Sequence, residues 1–177
     1  MPSLEYTPST DTGILVFADY EHVVENTIIS NNDIKDTYVG VFMQNSLGNT
    51  IVDTRLEGNY LAIGIDEASD NNIDRNTVSD NTGGIWLGSG GNKVSNNTIS
   101  WNLGYGVQLD GSFFNIVDGN FIENNGYGVE VIFAGNNNIT GNIVTSNEIG
   151  VSLTSSSDNN IYHNNFRNNT NQADIDM

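Results

Sequence analysis

The chain has 177 residues and no cysteine, and only 15% of it is charged, yet Asp and Glu number 22 against five Lys and Arg, for a formal net charge of −17. So acidic a surface repels nucleic acid and anionic membrane, because phosphate contacts are made by Lys and Arg. It also disfavours long-range attraction of polyanionic glycans unless divalent cations intervene, and with no cysteine the redox compartment is left open.

The chain opens on MPSLEYTPST, which lacks a charged start followed by an apolar run, so no secretory signal and no membrane span is expected. Residues 1–12 fit no repeat and are expected to form an N-terminal cap or tail. From Gly13 a phrase Gly-(Val/Ile)-x-(Leu/Val/Met) recurs at Gly40, Gly84, Gly106, Gly128 and Gly150, with Ala62 in the same slot. The first step is 27 residues and every later one is 22. Such a period marks a solenoid, in which each repeat buries its face only against its neighbours.

Each rung carries three short apolar pulses. In chain order they are Ile14/Val16, Val23 and Ile28; Val41/Met43, Ile51 and Leu56; Ile63/Ile65, Ile73 and Val78; then Ile85/Leu87, Val94 and Ile99. The last three rungs give Val107/Leu109, Val117 and Ile122; Val129/Val131, Ile139 and Val144; and Val151/Leu153, Ile161 and Phe166. All are apolar and most are Val or Ile, which suits a pleated strand and is disfavoured in a helix. Asn punctuates the pulses, as at Asn92, Asn97 and Asn102 or Asn137, Asn142 and Asn147. Asn and Gly tolerate left-handed backbone, so three such corners per rung bend the chain in one sense.

The expectation is an all-β, right-handed, single-stranded parallel β-helix over residues 13–177. It has about seven rungs of ~22 residues, each with three short strands, stacked about 4.8 Å apart. Stacked Asn should hydrogen-bond along the axis, as identical side chains do in ladders. A leucine-rich repeat has a similar period but would need Leu at most slots. Thr54 replaces a corner Asn, Glu21 stands at a corner of rung one, and an insertion is expected around Asp33–Tyr38. An eighth rung begins at Gln172 and stops at Met177. An open terminal rung fits a piece of a longer protein, an engineered array, or end-to-end stacking into a homo-oligomer.

The segments GVSLTSSSDNNIYHNNFRNN (150–169) and GVEVIFAGNNNITGNIVTSN (128–147) resemble the repeats of the NosD-like, carbohydrate-binding-and-sugar-hydrolase family. That family shares the right-handed coil of pectate lyases and polygalacturonases. The resemblance implies an extracellular or cell-surface role connected with polysaccharide, and it rests on fold-level analogy. The family's association with copper maturation implies clustered His, Met or Cys. Here His22 and His163 stand six rungs apart, and Met43 is an inward slot, so no copper site is expected.

Function must sit on outward positions. Within the first strand of each rung the outward column reads Leu15, Phe42, Gly64, Trp86, Gln108, Glu130, Ser152, and the residue before each Gly adds Tyr105 and Tyr127. Phe42, Trp86, Tyr105 and Tyr127, with Gln108 and Glu130 as polar partners, are the candidate carbohydrate platform, since aromatics present broad amphipathic surface at modest entropy cost. Tyr105 and Tyr127 stacking on each other is the plainer reading. Asp66 and Glu67 are the candidate ligands for one Ca²⁺, with solvated acidic turns as the alternative. Arg75 is expected in the column of Glu25 and Asp53, as an ion-pair stack. No catalytic set is assigned. A lyase or glycoside hydrolase would need converging carboxylates and a base, and Lys, Arg and His are scarce. The expected function is therefore a polysaccharide- or cell-surface-associated binding or scaffold module. The alternatives are a carbohydrate-active enzyme of the pectate-lyase type and a self-associating structural array.

Overall fold

A computed structural model describes residues 11–19 and 21–176. It is a parallel β-helix built of strands alone. A broad sheet of eight strands runs Thr12–Phe17, Val39–Gln44, Leu61–Asp66, Gly83–Leu87, Tyr105–Asp110, Tyr127–Ile132, Ile149–Thr154 and Asn171–Asp176, in that spatial order. The second sheet stacks seven three-residue strands from Ile28–Ser30 to Asn160–Tyr162, and the third stacks seven from Asp33–Lys35 to Asn165–Arg167. Equivalent residues of successive rungs lie in register, as in Ile73 with Ile51 and Val94, and every pairing is parallel. Most of the N-terminal segment expected as a cap lies outside the described residues; Thr12 already belongs to the first broad-sheet strand.

The core is the bore of the coil. From rung two to rung six every predicted inward side chain, Val41 through Val144, is 0% exposed. Each such aliphatic side chain contributes roughly 1.5–3 kcal/mol of burial. In rung seven Val151 is buried while Leu153, Ile161 and Phe166 are only partly covered.

Rung one corrects the sequence reading. Val23 and Ile28 face solvent at 56% and 70% exposure, and the inward slots are filled by Ile29 and Ile34. Register settles this, because Ile29 pairs with Ile51 and Ile34 with Leu56. The extra residues of the first step enter before the second sheet, between Phe17 and Val24, and Asp33–Lys35 is an ordinary third-sheet strand. A register error of one residue moves a side chain to the opposite face, as Ile28 and Ile29 illustrate. Past the insertion the regular step of 22 has already resumed at a two-residue strand, Val24–Glu25, which pairs with Ser46–Leu47. Glu25 is thereby removed from the column of Asp53 and Arg75, where rung one carries Asn31 instead. Arg75 donates to Asp53 at 3.0 Å and also to Asp74, an exposed cluster of small energetic weight.

Three Asn ladders run up the coil. One passes through Asn49, Asn71, Asn92, Asn115, Asn137 and Asn159; a second through Thr54, Asn76, Asn97, Asn120, Asn142 and Asn164; a third through Asn59, Asn81, Asn102, Asn125, Asn147 and Asn169. In each step a backbone N–H donates to the side-chain oxygen one rung on, at about 2.8–3.2 Å. The bend itself belongs to the preceding residue, which holds a positive φ: Arg75, Asn96, Gly119, Gly141 and His163 in the second column, for example. The ladder Asn thus satisfies backbone and the residue before it turns the chain.

Candidate functional site

Glycine placement opens a hollow on the outer face of the broad sheet. The outward column reads Phe42, Gly64, Trp86, Gln108, Glu130 on successive strands. At Gly64 a Cβ would come within 2.8 Å of the Phe42 ring, so Phe42 lies across this glycine. At Gly83 it would come within 2.8 Å of the Tyr105 hydroxyl, and at Gly88 within 2.5 Å of Trp86. Three aromatic rings therefore rest over glycines instead of side chains, and a groove of about 300 Å³ remains, lined by Tyr38, Val39, Phe42, Tyr60, Leu61, Asp66 and Trp86.

The sequence-derived platform is placed unevenly. Phe42 is 4% exposed and serves as floor, Trp86 is half-buried, and Tyr105 and Tyr127 pair in register one step further along. The exposed aromatic wall is made by Tyr38 and Tyr60, whose rings stack with centroids 4.8 Å apart and 3° between planes. Sequence reasoning missed both. They are 22 residues apart, so the period places them in one column, but the insertion assigned to Asp33–Tyr38 took Tyr38 out of register.

Charge on this face is acidic. Asp66 lines the groove, and burial first and then the neighbouring Glu67 push its proton affinity up. Glu130 accepts a hydrogen bond from Gln108 Nε2 at 2.6 Å; burial and Asp110 raise its affinity for a proton, against the lowering effect of Gln108. Asp110 follows Gln108 by two residues on the strand beside Glu130, so these carboxylates form a diagonal pair that linear spacing hid. The Tyr105 phenol is pushed up to about 12, by burial above all and then by Glu130, Tyr60 and Asp110.

These shifts carry a stability consequence. A carboxylate whose folded-state proton affinity is raised is penalised at neutral pH; its stability is fully present below its ordinary range and lost as pH rises through the raised value. Asp53 and Glu57 run the other way: Arg75 holds the first low, and Lys35 with Arg55 the second, so their contribution is lost on further acidification. The thermal midpoint is expected to rise from neutral pH into mild acid and then fall. Glu130→Gln should raise the unfolding free energy at pH 7 by less than about 1 kcal/mol, lift the midpoint correspondingly, and flatten the rise. An unchanged pH profile measured by differential scanning calorimetry would refute this.

Asp66 and Glu67 line different recesses, Asp66 edging the aromatic groove. Glu67 lines a separate recess of about 320 Å³ with Asp19, His22, Asn45 and Ser46, beside the rung-one insertion. Among the described residues, no three His, Cys, Asp or Glu side chains are grouped to hold a metal ion.

The molecule is thus a parallel β-helix with an aromatic, acidic groove on its broad sheet. The chain belongs to the family described as periplasmic copper-binding protein (NosD), which matches residues 5–177. Among curated proteins none matches it. Among solved structures it is similar to the A-module of the Azotobacter vinelandii mannuronan C-5 epimerase AlgE6, at 18% identity and TM-score 0.76, over 82% of this chain and 42% of that one. It is similar to a mutant of the periplasmic alginate epimerase AlgG at 25% identity and TM-score 0.73, over 77% and 34%. It also resembles the DFA-IIIase of Arthrobacter chlorophenolicus A6 without its lid, at 16% identity and TM-score 0.77, over 89% and 45%. The chain spans less than half the length of each.

The copper of the family's description does not fit the residues present. The sequence has no cysteine, and Met43 is sealed in the core. His22 is bonded to Asp19 at 2.7 Å in the insertion, and His163 sits edge-on to Tyr162 at a rung-seven corner. No copper-ligating set of soft donors converges among the described residues.

Proposed function

We propose that this chain is a polysaccharide-binding β-helix module that works outside the cytoplasm, in the periplasm or at the cell surface. The observation that carries this reading is the groove between Phe42 and Trp86, walled by stacked Tyr38 and Tyr60 and edged by Asp66. An apolar floor with exposed aromatic planes and a few polar groups is the form that pyranose rings fit. The repeating rung continues the face along the axis, which suits a polymer. The family's periplasmic description and the carbohydrate-acting neighbours support the setting.

Binding is favoured over catalysis by the distribution of bases. The broad-sheet strands contain no Lys, Arg or His, so the carboxylates of the groove have no cationic partner beside them on that sheet. The test is affinity electrophoresis of the whole chain through gels containing soluble polysaccharides, with wild type and Trp86→Ala side by side. Retardation of the wild type and about tenfold weaker retardation of the variant are expected. Equal mobility of the two in every gel would defeat the reading.

A further inference from the structure

We infer that the groove takes a glycan carrying cationic amino groups, an amino-sugar polymer, and rejects polyuronates. This rests on the binding reading above and goes further, to the chemistry of the ligand. The aromatic walls make the site and the sorting of charge over the coil selects its occupant.

All five cationic side chains of the sequence lie away from the groove. Lys93 is on the second sheet, Lys35, Arg55 and Arg167 are on the third, and Arg75 is at the corner between those two. Three of them are already engaged: Lys35 with Asp33 and Glu57, Arg55 with Glu57, and Arg75 with Asp53. None is left beside the groove to pair with a sugar carboxylate. The face instead carries Asp66, Asp110 and Glu130, on a chain whose net charge is −17.

A polyuronate laid along this face would bring one carboxylate per ring against those groups with nothing to neutralise it. An ammonium-bearing glycan meets the opposite situation. Its amino groups can donate charge-assisted hydrogen bonds to carboxylates, and they are attracted to the faces of Trp86 and the tyrosines. Asp66 and Asp110 occupy the same strand position two rungs apart, roughly 9.6 Å along the axis, so a polymer following the coil meets acid repeatedly. Partial burial strengthens each contact relative to one in open water, and it is burial first, then the neighbouring carboxylates Glu67 and Asp110, that raises the proton affinities of Asp66 and Glu130.

The test is isothermal titration of the whole chain at physiological salt with three oligomers of equal length: glucosamine hexamer, N-acetylglucosamine hexamer and galacturonate hexamer. The glucosamine oligomer is expected to bind, the N-acetylated one about tenfold more weakly, and the uronate not at all. Trp86→Ala should weaken the first two alike, whereas Asp66→Asn, a near-isosteric surface change that should leave the fold intact, should weaken only the cationic oligomer. Trp86-dependent binding of the uronate, or equal binding of the two glucosamine oligomers, would overturn this inference and leave the binding reading standing. Binding of none of the three would sink both. Glucosamine binding that neither substitution alters would show diffuse attraction to an acidic surface, and would likewise overturn the inference.

Discussion

Asn97→Ala is expected to remove about 3–5 kcal/mol of stability, although Asn97 lies at a corner and touches no ligand groove. Its side-chain oxygen accepts from the backbone N–H of Asn76 at 2.8 Å and from the Asn76 amide at 3.0 Å. Its own amide donates to the Ile73 carbonyl and to Asn120, each at 2.9 Å. The site is 1% exposed, so no bulk water replaces what is lost. Alanine strands the Asn76 N–H, an Asn76 amide hydrogen and one acceptor position on Ile73, and each buried polar group left unmade costs about 1–3 kcal/mol. Urea unfolding checks this, with Thr98→Val on the next strand as control; Thr98 is exposed and keeps its branching, so its change should stay within about 0.5 kcal/mol. A loss below about 1 kcal/mol at Asn97 would mean that the ladder does not carry the corner. Thr54 shows a weaker form of the device: its hydroxyl reaches the Val52 carbonyl at 3.1 Å and receives Asn32 N–H at only 3.4 Å, near the end of the stack.

The interior was legible because its rule is repetitive. A 22-residue step with apolar residues, mostly Val or Ile, at four slots per rung leaves one consistent way to bury them, and rungs two to six obey it fully. Legibility failed where the step changed. A 27-residue interval says that residues are added but not where, and Val23 and Ile28 were as apolar as the true slots Ile29 and Ile34. The corners were half read: Asn marks them, but the ladder residue and the left-handed residue are neighbours with different tasks. Phe114 and Trp101 show why composition alone could not separate them, since both hold left-handed φ and face solvent where other rungs use mainly Asn, Asp or Gly. The outer face was harder still. A column gives order along the axis but not the lean of a ring, so nothing in the letters announced that Phe42 folds over Gly64 and leaves Tyr38 and Tyr60 as the exposed wall.

Gly128→Val is expected to cost more than about 4 kcal/mol and to unravel the coil from one end only. A Cβ at Gly128 would stand 2.5 Å from the Gly150 carbonyl oxygen and 2.5 Å from Val144 Cγ1, with the Asn147 amide at 3.1 Å. The first is backbone and the second a closed core side chain, so neither can yield without parting rungs six and seven. Ala62 fills the equivalent slot of rung three, which shows that one methyl can be absorbed there; Gly128→Ala should therefore cost less than half as much, and the second branch of valine is what the stack cannot take. Because each rung touches only its neighbours, the damage should stay local. Hydrogen exchange should show Val129, Val131 and Val151 losing protection while Val41, Met43, Ile63 and Ile65 keep theirs. Gly111→Asn supplies the contrast: it has a left-handed φ of 58° with nothing within 4 Å of a Cβ, so Asn should be accepted within about 0.5 kcal/mol. A uniform loss of protection along the whole coil in Gly128→Val would show that the rungs unfold as one unit, and would refute the nearest-neighbour account.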